Sequence, residues 1–378
     1  MREPMKISAN FDSGAIVYVG QSVTPQGARL IDLNIRADSH ADFTQWFHFR
    51  LQGVAGQDCV MRLLNAGMCT FPDWRGYTAM ASYDRKSWFR VPTDFDGQVL
   101  VIRHRPERDS VYYAYFEPYS RERHLDFLGR CGESPRVRVS DLGSSVEGRD
   151  LNLVTVGQPG PGKSAIWVIA RQHPGESMTE WFVEGMLERL LDGQDPTARR
   201  LLEKTVFYVV PNINPDGSVH GNLRSNAAGA NLNREWMAPS MERSPEVFLV
   251  RRKMEETGVD MFLDVHGDES LPWVFISGCE MIPDFSAEQA RRQQAFSDAL
   301  MRASPDFQDV HGYPADKYST EALTLASKYV AHTWRCLSVT LEMPFKDNAY
   351  LPDPEFGWNG EKSRKLGAAV LQAMLASV

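Results

Sequence analysis

Two rhythms of hydrophobic and polar positions divide this chain. Up to about residue 125 the apolar runs are short and alternate with polar positions, as strands with one buried face do. In Phe43 to Leu51, the side chains of Phe43, Phe47, Phe49 and Leu51 fall largely on one side. Similar runs follow at Ala15 to Val19, Met61 to Leu64, Tyr77 to Tyr83, Trp88 to Val91, Gln98 to Ile102 and Val111 to Tyr119. Turn residues separate them: Asn65-Ala66-Gly67, Phe95-Asp96-Gly97 and Pro106-Glu107-Arg108. No helix-length amphipathic stretch interrupts this pattern, which predicts an antiparallel β-sandwich. The run Tyr112, Tyr113, Tyr115, Phe116 reads as core and edge packing, with a polymer-facing surface as the alternative.

Beyond the polar, Gly-rich seam Arg121 to Gly148 the rhythm changes. Continuous apolar runs, Leu151 to Val156, Ser164 to Ala170, Thr205 to Val210, Val259 to Val265, Trp273 to Ile276 and Leu337 to Met343, read as buried strands. Helical periodicity lies between and after them at Met178 to Leu190, Thr197 to Glu203, Glu246 to Glu256, Ala287 to Arg302 and Glu361 to Ser377. Gly258 suits a C-cap. An interdomain helix fits Arg121 to Leu128, and Tyr318 to Ala326 fits neither pattern. The expectation is an all-β domain, 1–125, followed by an α/β domain, 126–378, with helices on both faces of its sheet. There is no internal repeat, no phosphate-binding loop and no G-x-G-x-x-G.

The chemistry gathers where apolar runs stop. His173-Pro174-Gly175-Glu176 stands between the strand ending near Ala170 and the helix starting at Met178. Strand ends of an open α/β sheet are where ligands bind. An imidazole and a carboxylate across a Pro-Gly turn can converge on zinc, which takes such ligands at about 2.0–2.2 Å and needs a third from elsewhere. H-x-x-E alone is equally well a surface turn with a carboxylate at a helix N-terminus. A second centre, His266-Gly267-Asp268, closes another apolar run, and Glu342 lies inside Leu-Ser-Val-Thr-Leu-Glu-Met-Pro-Phe. A carboxylate in so apolar a run needs a reason, and action as general base is one. Asp264, on the same side of its strand as His266, suits an orienting carboxylate or an edge residue. Asp268 and Glu269 crowd that exit as rival ligands. Asn214-Pro-Asp-Gly, Gly221-Asn-Leu-Arg224 and Asn231-Leu-Asn233-Arg234-Glu-Trp supply two arginines and asparagines suited to anions. Histidines 40, 48, 104, 124, 220, 311 and 332 have no convergent setting, and Ser177 lacks a nucleophile elbow.

Composition narrows the classes. With 378 residues, 43% hydrophobic and 24% charged, the chain suits a soluble two-domain protein. A formal net charge of -8 argues against nucleic acid as partner. Cys59, Cys69, Cys131, Cys279 and Cys336 are scattered and odd in number, which fits a reducing compartment. No signal-peptide or membrane-span pattern is present, so no membrane partner and a cytoplasmic location are expected.

Taken in order, H-P-G-E, N-P-D-G, G-N-x-R, N-L-N-R-x-W, D-x-H-G and T-L-E resemble the motif set of the zinc carboxypeptidases. The β-rich N-terminal part resembles their cytosolic carboxypeptidase branch. The resemblance implies a mixed-sheet catalytic domain behind a β-sandwich, and Zn2+ on His173, Glu176 and His266. It implies Glu342 as general base, Arg224 as the residue polarising the scissile carbonyl, and Asn233 with Arg234 as the holders of a terminal carboxylate. The family's mobile-loop tyrosine falls on Tyr318, twenty-four residues before Glu342, in preference to Tyr329, thirteen before it, and either needs a local shift. Lys328, with Lys317 as second candidate, falls where the family places its specificity-determining side chain, and a lysine there would select an acidic C-terminal residue. The alternative for both lysines is a solvated helix face. The expected activity is hydrolysis of the C-terminal bond of a peptide or protein substrate. The alternatives are a zinc amidohydrolase or deacylase of N-acyl amino acids, and a non-enzymatic binding protein on the same fold.

Overall fold

The computed structural model describes residues 4–314, 317 and 322–378. The N-terminal part is two five-stranded sheets. One runs Lys6–Ser8, His48–Gln52, Ser110–Ala114, Ala79–Ser82, Phe89–Val91. The other runs Val17–Val23, Arg29–Asn34, Cys59–Leu63, Leu100–His104, Thr93–Phe95. Alternation decides what faces inward: Phe47, Phe49, Leu51 and Tyr113 from the first sheet share one buried cluster with Ile31, Leu33, Met61, Leu63 and Ile102 from the second. Phe49 stacks on Tyr113 with ring centroids 5.3 Å apart. Tyr113, Tyr115 and Phe116 are buried, so the aromatic run is packing. The sandwich departs from the antiparallel expectation at one place: Arg29–Asn34 pairs parallel with Cys59–Leu63. The chain between them first crosses to the other sheet as His48–Gln52 and returns in the same direction, which a hairpin cannot do.

The second part is built on a seven-stranded mixed sheet. Its centre is parallel: Thr205–Val210, Ser164–Ala170, Met261–Asp268 and Leu337–Pro344. Asp150–Val156 and Val137–Ser144 extend one edge antiparallel, and Phe275–Ser277 the other. Alternate side chains of the central strands feed two cores. Ile166, Val168, Phe207, Val209, Leu263 and Val339 meet helices Met178–Leu191, Pro196–Lys204, Ala287–Ala303 and Gly360–Ala376. Trp167, Ile169, Tyr208 and Phe262 meet Pro245–Thr257 and Ala326–Trp334. Helices Met178–Leu191 and Gly360–Ala376 touch backbone to backbone: a Cβ at Gly185 would lie 2.1 Å from the Arg364 carbonyl oxygen, and one at Gly367 would lie 1.9 Å from that of Phe182.

The two parts share packing. Tyr115 stacks on Phe345 at 4.5 Å, and Arg90 donates to the carbonyls of Phe345 and Trp358 at 3.1 and 2.8 Å. Among the described residues no helix is long and apolar enough to cross a membrane.

Candidate active site

The three polar strand ends of the sequence meet at the carboxyl ends of adjacent parallel strands. His266 and Glu342 are register partners in the Met261–Asp268/Leu337–Pro344 ladder. His173 arrives from the next strand through a tight turn in which Arg171 adopts a left-handed conformation, φ 62°. Arg171 is buried and bolts this turn by donating to the carbonyls of Pro174 and Tyr119, both at 2.9 Å. The turn also hugs the loop ahead of it: Gly175 donates to the Leu223 carbonyl at 2.9 Å, and a Cβ there would approach Leu223 to 3.2 Å.

His173, Glu176 and His266 present ligand atoms that all lie within 4.8 Å of one another, and all three residues are buried. His173 Nδ1 is 2.6 Å from Glu176 Oε1, His266 Nδ1 is 2.9 Å from Glu176 Oε2, and the two Nδ1 atoms are 3.2 Å apart. The far ring nitrogens decide the chemistry. His173 Nε2 meets Asn231 Oδ1 at 3.1 Å, an oxygen fixed as acceptor by the Asn233 N–H, and His266 Nε2 meets Asp264 Oδ2 at 2.9 Å. Both partners only accept there, so each Nε2 carries a proton and each Nδ1 is the nitrogen that faces inward as a candidate ligand atom. Two inward-facing imidazole nitrogens and a carboxylate converging on one point are a donor set zinc takes. Electrostatics agree. Burial, aided by the Arg224 charge, pushes His173 down to about 3, so it is neutral. Burial also disfavours charge on His266, but Asp264 and Glu176 outweigh it and hold its pKa well above the ordinary value. A proton on His266 is the chain's own substitute for positive charge between those carboxylates. Glu176 is held below the usual carboxylate range, the two imidazoles overcoming its burial.

Glu342 faces this cluster. Its Oε1 accepts from the Tyr313 hydroxyl at 3.2 Å, and its buried Oε2 has no hydrogen-bond partner among the described residues. Burial first, then repulsion from Glu176, Asp268 and Glu269, raises its pKa well above that of a free carboxylate despite His266. Such a group takes up protons readily. Asp268 and Glu269 do not join the ligand cluster. Asp268 accepts from Ser270 N–H at 2.8 Å and from Tyr313, while Glu269 lies 3.4 Å from Arg224 Nη1 and is pushed up to about 8, chiefly by burial.

A cleft over the cluster is lined by Arg224, Asn233, Arg234, Lys317, Lys328 and Tyr313, among others. Asn233 Oδ1 caps the start of helix Ala326–Trp334 by accepting from Ala326 N–H at 2.9 Å, and Arg234 Nη1 donates to the Asn233 carbonyl at 2.8 Å. Lys328, in the first turn of that helix, is only 4% exposed, which removes the solvated reading for it. Burial lowers its pKa. Ser277, Ser327 and Thr340 line the cleft with it. Lys317 is exposed at the mouth, its Nζ 3.3 Å from the Tyr313 ring centroid. Tyr318 lies outside the described residues. Tyr313, Asn231 and Phe71 went unassigned in the sequence. Asn231 had a usable signal, since it precedes Asn233 by two in the same polar motif.

Two family models match the chain. Residues 7–116 match the cytosolic carboxypeptidase N-terminal domain, and residues 130–357 match the zinc carboxypeptidase domain. The chain belongs to the zinc carboxypeptidase family. It carries the catalytic machinery of a zinc metallocarboxypeptidase. A solved metallo-carboxypeptidase from Burkholderia cenocepacia is 56% identical, covers 99% of both chains and superposes with a TM-score of 0.96. A metallo-carboxypeptidase from Pseudomonas aeruginosa, solved in complex with (2-guanidinoethylmercapto)succinic acid, is 46% identical over 98% of both chains, TM-score 0.93. An uncharacterized protein of Zymomonas mobilis is 44% identical over 99% of this chain and 96% of its own length. The chain is thus a zinc carboxypeptidase with the all-β domain ahead of its catalytic sheet.

Proposed function

We propose that this zinc carboxypeptidase belongs to the cytosolic branch and removes acidic residues from the C-termini of peptides or proteins. The observation that carries the acidic preference is Lys328, a lysine almost without solvent, in the cleft beside Ser277, Ser327 and Thr340. The branch assignment leans on the match of residues 7–116 to the cytosolic carboxypeptidase N-terminal domain. Five free, buried cysteines suit a reducing cytoplasm.

In this reading His173, Glu176 and His266 hold zinc, with Asn231 and Asp264 fixing the two rings. Zinc held there supplies Lewis-acid polarisation and a lowered water pKa. Glu342 takes the proton of the attacking water and returns it to the leaving amine, a role suited to a carboxylate with raised proton affinity. Arg224 stabilises the negative charge that develops on the carbonyl oxygen. Arg234 and the Asn233 amide hold the terminal carboxylate, which restricts cleavage to chain ends. The Lys328 ammonium meets the side-chain carboxylate, with Lys317 attracting acidic chains at the mouth.

One observation favours a second reading. The ligand of the Pseudomonas aeruginosa enzyme has a dicarboxylate end and a guanidino end. A guanidino group in the side-chain pocket would suit a preference for basic residues. The test is kcat/KM for one peptide ending in Glu, Leu or Arg, as free acid and as amide, beside N-acyl glutamate. Glu as free acid should be cleaved fastest. A faster Arg peptide would install the basic reading, and turnover of N-acyl glutamate with inert peptides would make the enzyme a deacylase.

A further inference from the structure

The loop carrying Arg224 belongs to the catalytic part of the chain, but its grip comes from the β-domain. Three successive amides, Leu223, Arg224 and Ser225, donate to the single carboxylate of Asp38 at 2.6, 2.7 and 2.9 Å, and the Ser225 hydroxyl adds a fourth bond at 3.1 Å. Consecutive N–H groups converging on one point form an anion-binding nest, and here a side chain from another domain fills it. Neighbouring contacts repeat the theme. Ser39 N–H and hydroxyl both donate to Asn222 Oδ1 at 3.1 Å, Ser13 N–H donates to the Val219 carbonyl at 2.9 Å, and Arg36 Nη2 donates to the His220 carbonyl at 2.6 Å. Farther along, the Phe71 ring lies under the Arg224 guanidinium, 5.1 Å from Cζ to the centroid, and Phe71 lines the cleft.

Both β-domain residues are themselves fixed. Asp38 N–H donates to the Phe43 carbonyl at 2.8 Å. Phe71 is locked to Gln45 by reciprocal bonds, N–H to Oε1 at 3.1 Å and Nε2 to the carbonyl at 3.2 Å. A fixed mount matters because Arg224 stands among carboxylates, with Glu269 already at 3.4 Å from Nη1. A slack loop would let the guanidinium settle onto them and away from the carbonyl it must polarise. Misplacing a reacting group by about 1 Å costs roughly 10²-fold in rate.

We propose that Asp38 and Phe71 of the β-domain are positioning residues for Arg224, so that the N-terminal domain completes the active site. The carboxylate sets the backbone of the Arg224 loop, and the ring sets the direction of the guanidinium. This rests on the reading of Arg224 as the group that polarises the scissile carbonyl.

The test is a double-mutant cycle in the full chain, with Asp38→Ala, Asp38→Asn and Phe71→Leu each made alone and with Arg224→Ala. Turnover, KM, bound zinc and melting temperature are read for each. Asp38→Ala should lower kcat by about 10- to 100-fold with KM changed less than about threefold and zinc retained. Asp38→Asn, which keeps one accepting oxygen, should fall in between, and Phe71→Leu should lose about tenfold. In the Arg224→Ala background each should cost less than about twofold. Equal losses in both backgrounds would overturn the proposal, as would full turnover of Asp38→Asn and Phe71→Leu, which also decide the matter if Asp38→Ala does not fold. Full turnover of Arg224→Ala would sink the role of Arg224 itself. A slow Arg224→Ala beside fully active Asp38 and Phe71 variants would sink the clamp alone.

Discussion

Glu176 and Glu180 lie four residues apart on either side of the start of one helix, both buried, and they do opposite things. Glu180 closes a circuit. It accepts from His124 Nδ1 at 2.7 Å, Asn212 Nδ2 at 2.9 Å and Arg171, whose remaining bonds go to the Pro174 and Tyr119 carbonyls. His124 completes the chain at Asn152, 3.3 Å away. One carboxylate meets one guanidinium, and Glu180 is held low because Arg171 and His124 overcome its burial. Glu176 enters a circuit that does not close. Asp264, Asp268, Glu269 and Glu342 crowd two imidazoles, with Arg224, Arg234, Lys317 and Lys328 as the cations of the same cleft, and the Oδ1 of Asp264 and Oε2 of Glu342 lack hydrogen-bond partners among the described residues. Glu342 and Glu269 both have raised pKa values, first through burial and then through the neighbouring carboxylates. Burial of a carboxylate therefore does not mark the site. The mark is a crowd of buried carboxylates around two inward-facing imidazole nitrogens, with carboxylate oxygens left without hydrogen-bond partners among the described residues, a set that a bound cation would relieve.

The largest effect should separate chemistry from structure. Glu342→Gln removes the proton carrier and should lower kcat by roughly 10²- to 10⁴-fold with zinc content unchanged. Glu180→Gln strips the buried Arg171 of its ion-pair partner and should cost on the order of 3–5 kcal/mol of stability. The folded fraction of that variant should turn over within a few-fold of wild type. Paired melting and single-turnover measurements read both, and a stable, inactive Glu180→Gln would break the comparison.

Metal content is the next divider. His266→Ala should lose the bound zinc, whereas His124→Ala, equally buried but in the closed circuit, should keep it. Metal analysis after dialysis decides, and full zinc in the His266 variant would remove it from the ligand set. Chelation should abolish activity and lower the melting temperature of wild type, since a ligand bound only to the native state stabilises it by about 4 kcal/mol at a thousandfold excess over Kd. Added zinc should restore both.

Arg234 sharpens the boundary between holding substrate and transforming it. A charge-assisted hydrogen bond contributes about 1.5–3 kcal/mol, so Arg234→Gln should raise KM by roughly 10- to 100-fold with little change in kcat. Amidating the substrate's C-terminus should produce a similar loss, and applying both changes should add little more. Independent, multiplying losses would remove the carboxylate from Arg234.

Much of this site was legible because apolar runs that stop at a charged residue say where a buried strand ends. His173, Glu176, His266 and Glu342 were found that way, and the structure brings them together. What was illegible follows from two causes. Val137–Ser144 is an edge strand with most positions wet, so Arg138, Ser140 and Asp141 gave it the pattern of a loop. The remaining gaps are contacts that no local window holds. Asp38 meets residues 185 to 187 positions away, and Tyr313 reaches Glu342 from 29 positions away. The parallel pair inside the β-domain was hidden for the same reason, its two strands being separated by a strand of the opposite sheet.

The smallest expected effect tests whether the open circuit extends to the specificity pocket. Lys328 and Lys317 both line the cleft, but Lys328 is 4% exposed while Lys317 stands in solvent at the mouth. A charge pair is strong where water is excluded and weak where it is not, the exposed kind being worth about 0–1 kcal/mol. Burial already lowers the pKa of Lys328, which means its ammonium is incompletely solvated and stands to gain from an incoming carboxylate. Lys328→Met keeps the length and apolar stem while deleting the charge. The ratio of kcat/KM for peptides ending in Glu and Leu should fall about tenfold in that variant, one charge-assisted hydrogen bond's worth, because the Glu substrate loses its partner and the Leu substrate gains an apolar contact. Lys317→Ala should slow both peptides alike by about twofold or less at low salt, and the difference from wild type should vanish as salt rises. An unchanged Glu-to-Leu ratio in Lys328→Met would place the selectivity elsewhere. A wild-type enzyme that prefers Leu or Lys would end the acidic pocket and leave the zinc carboxypeptidase untouched.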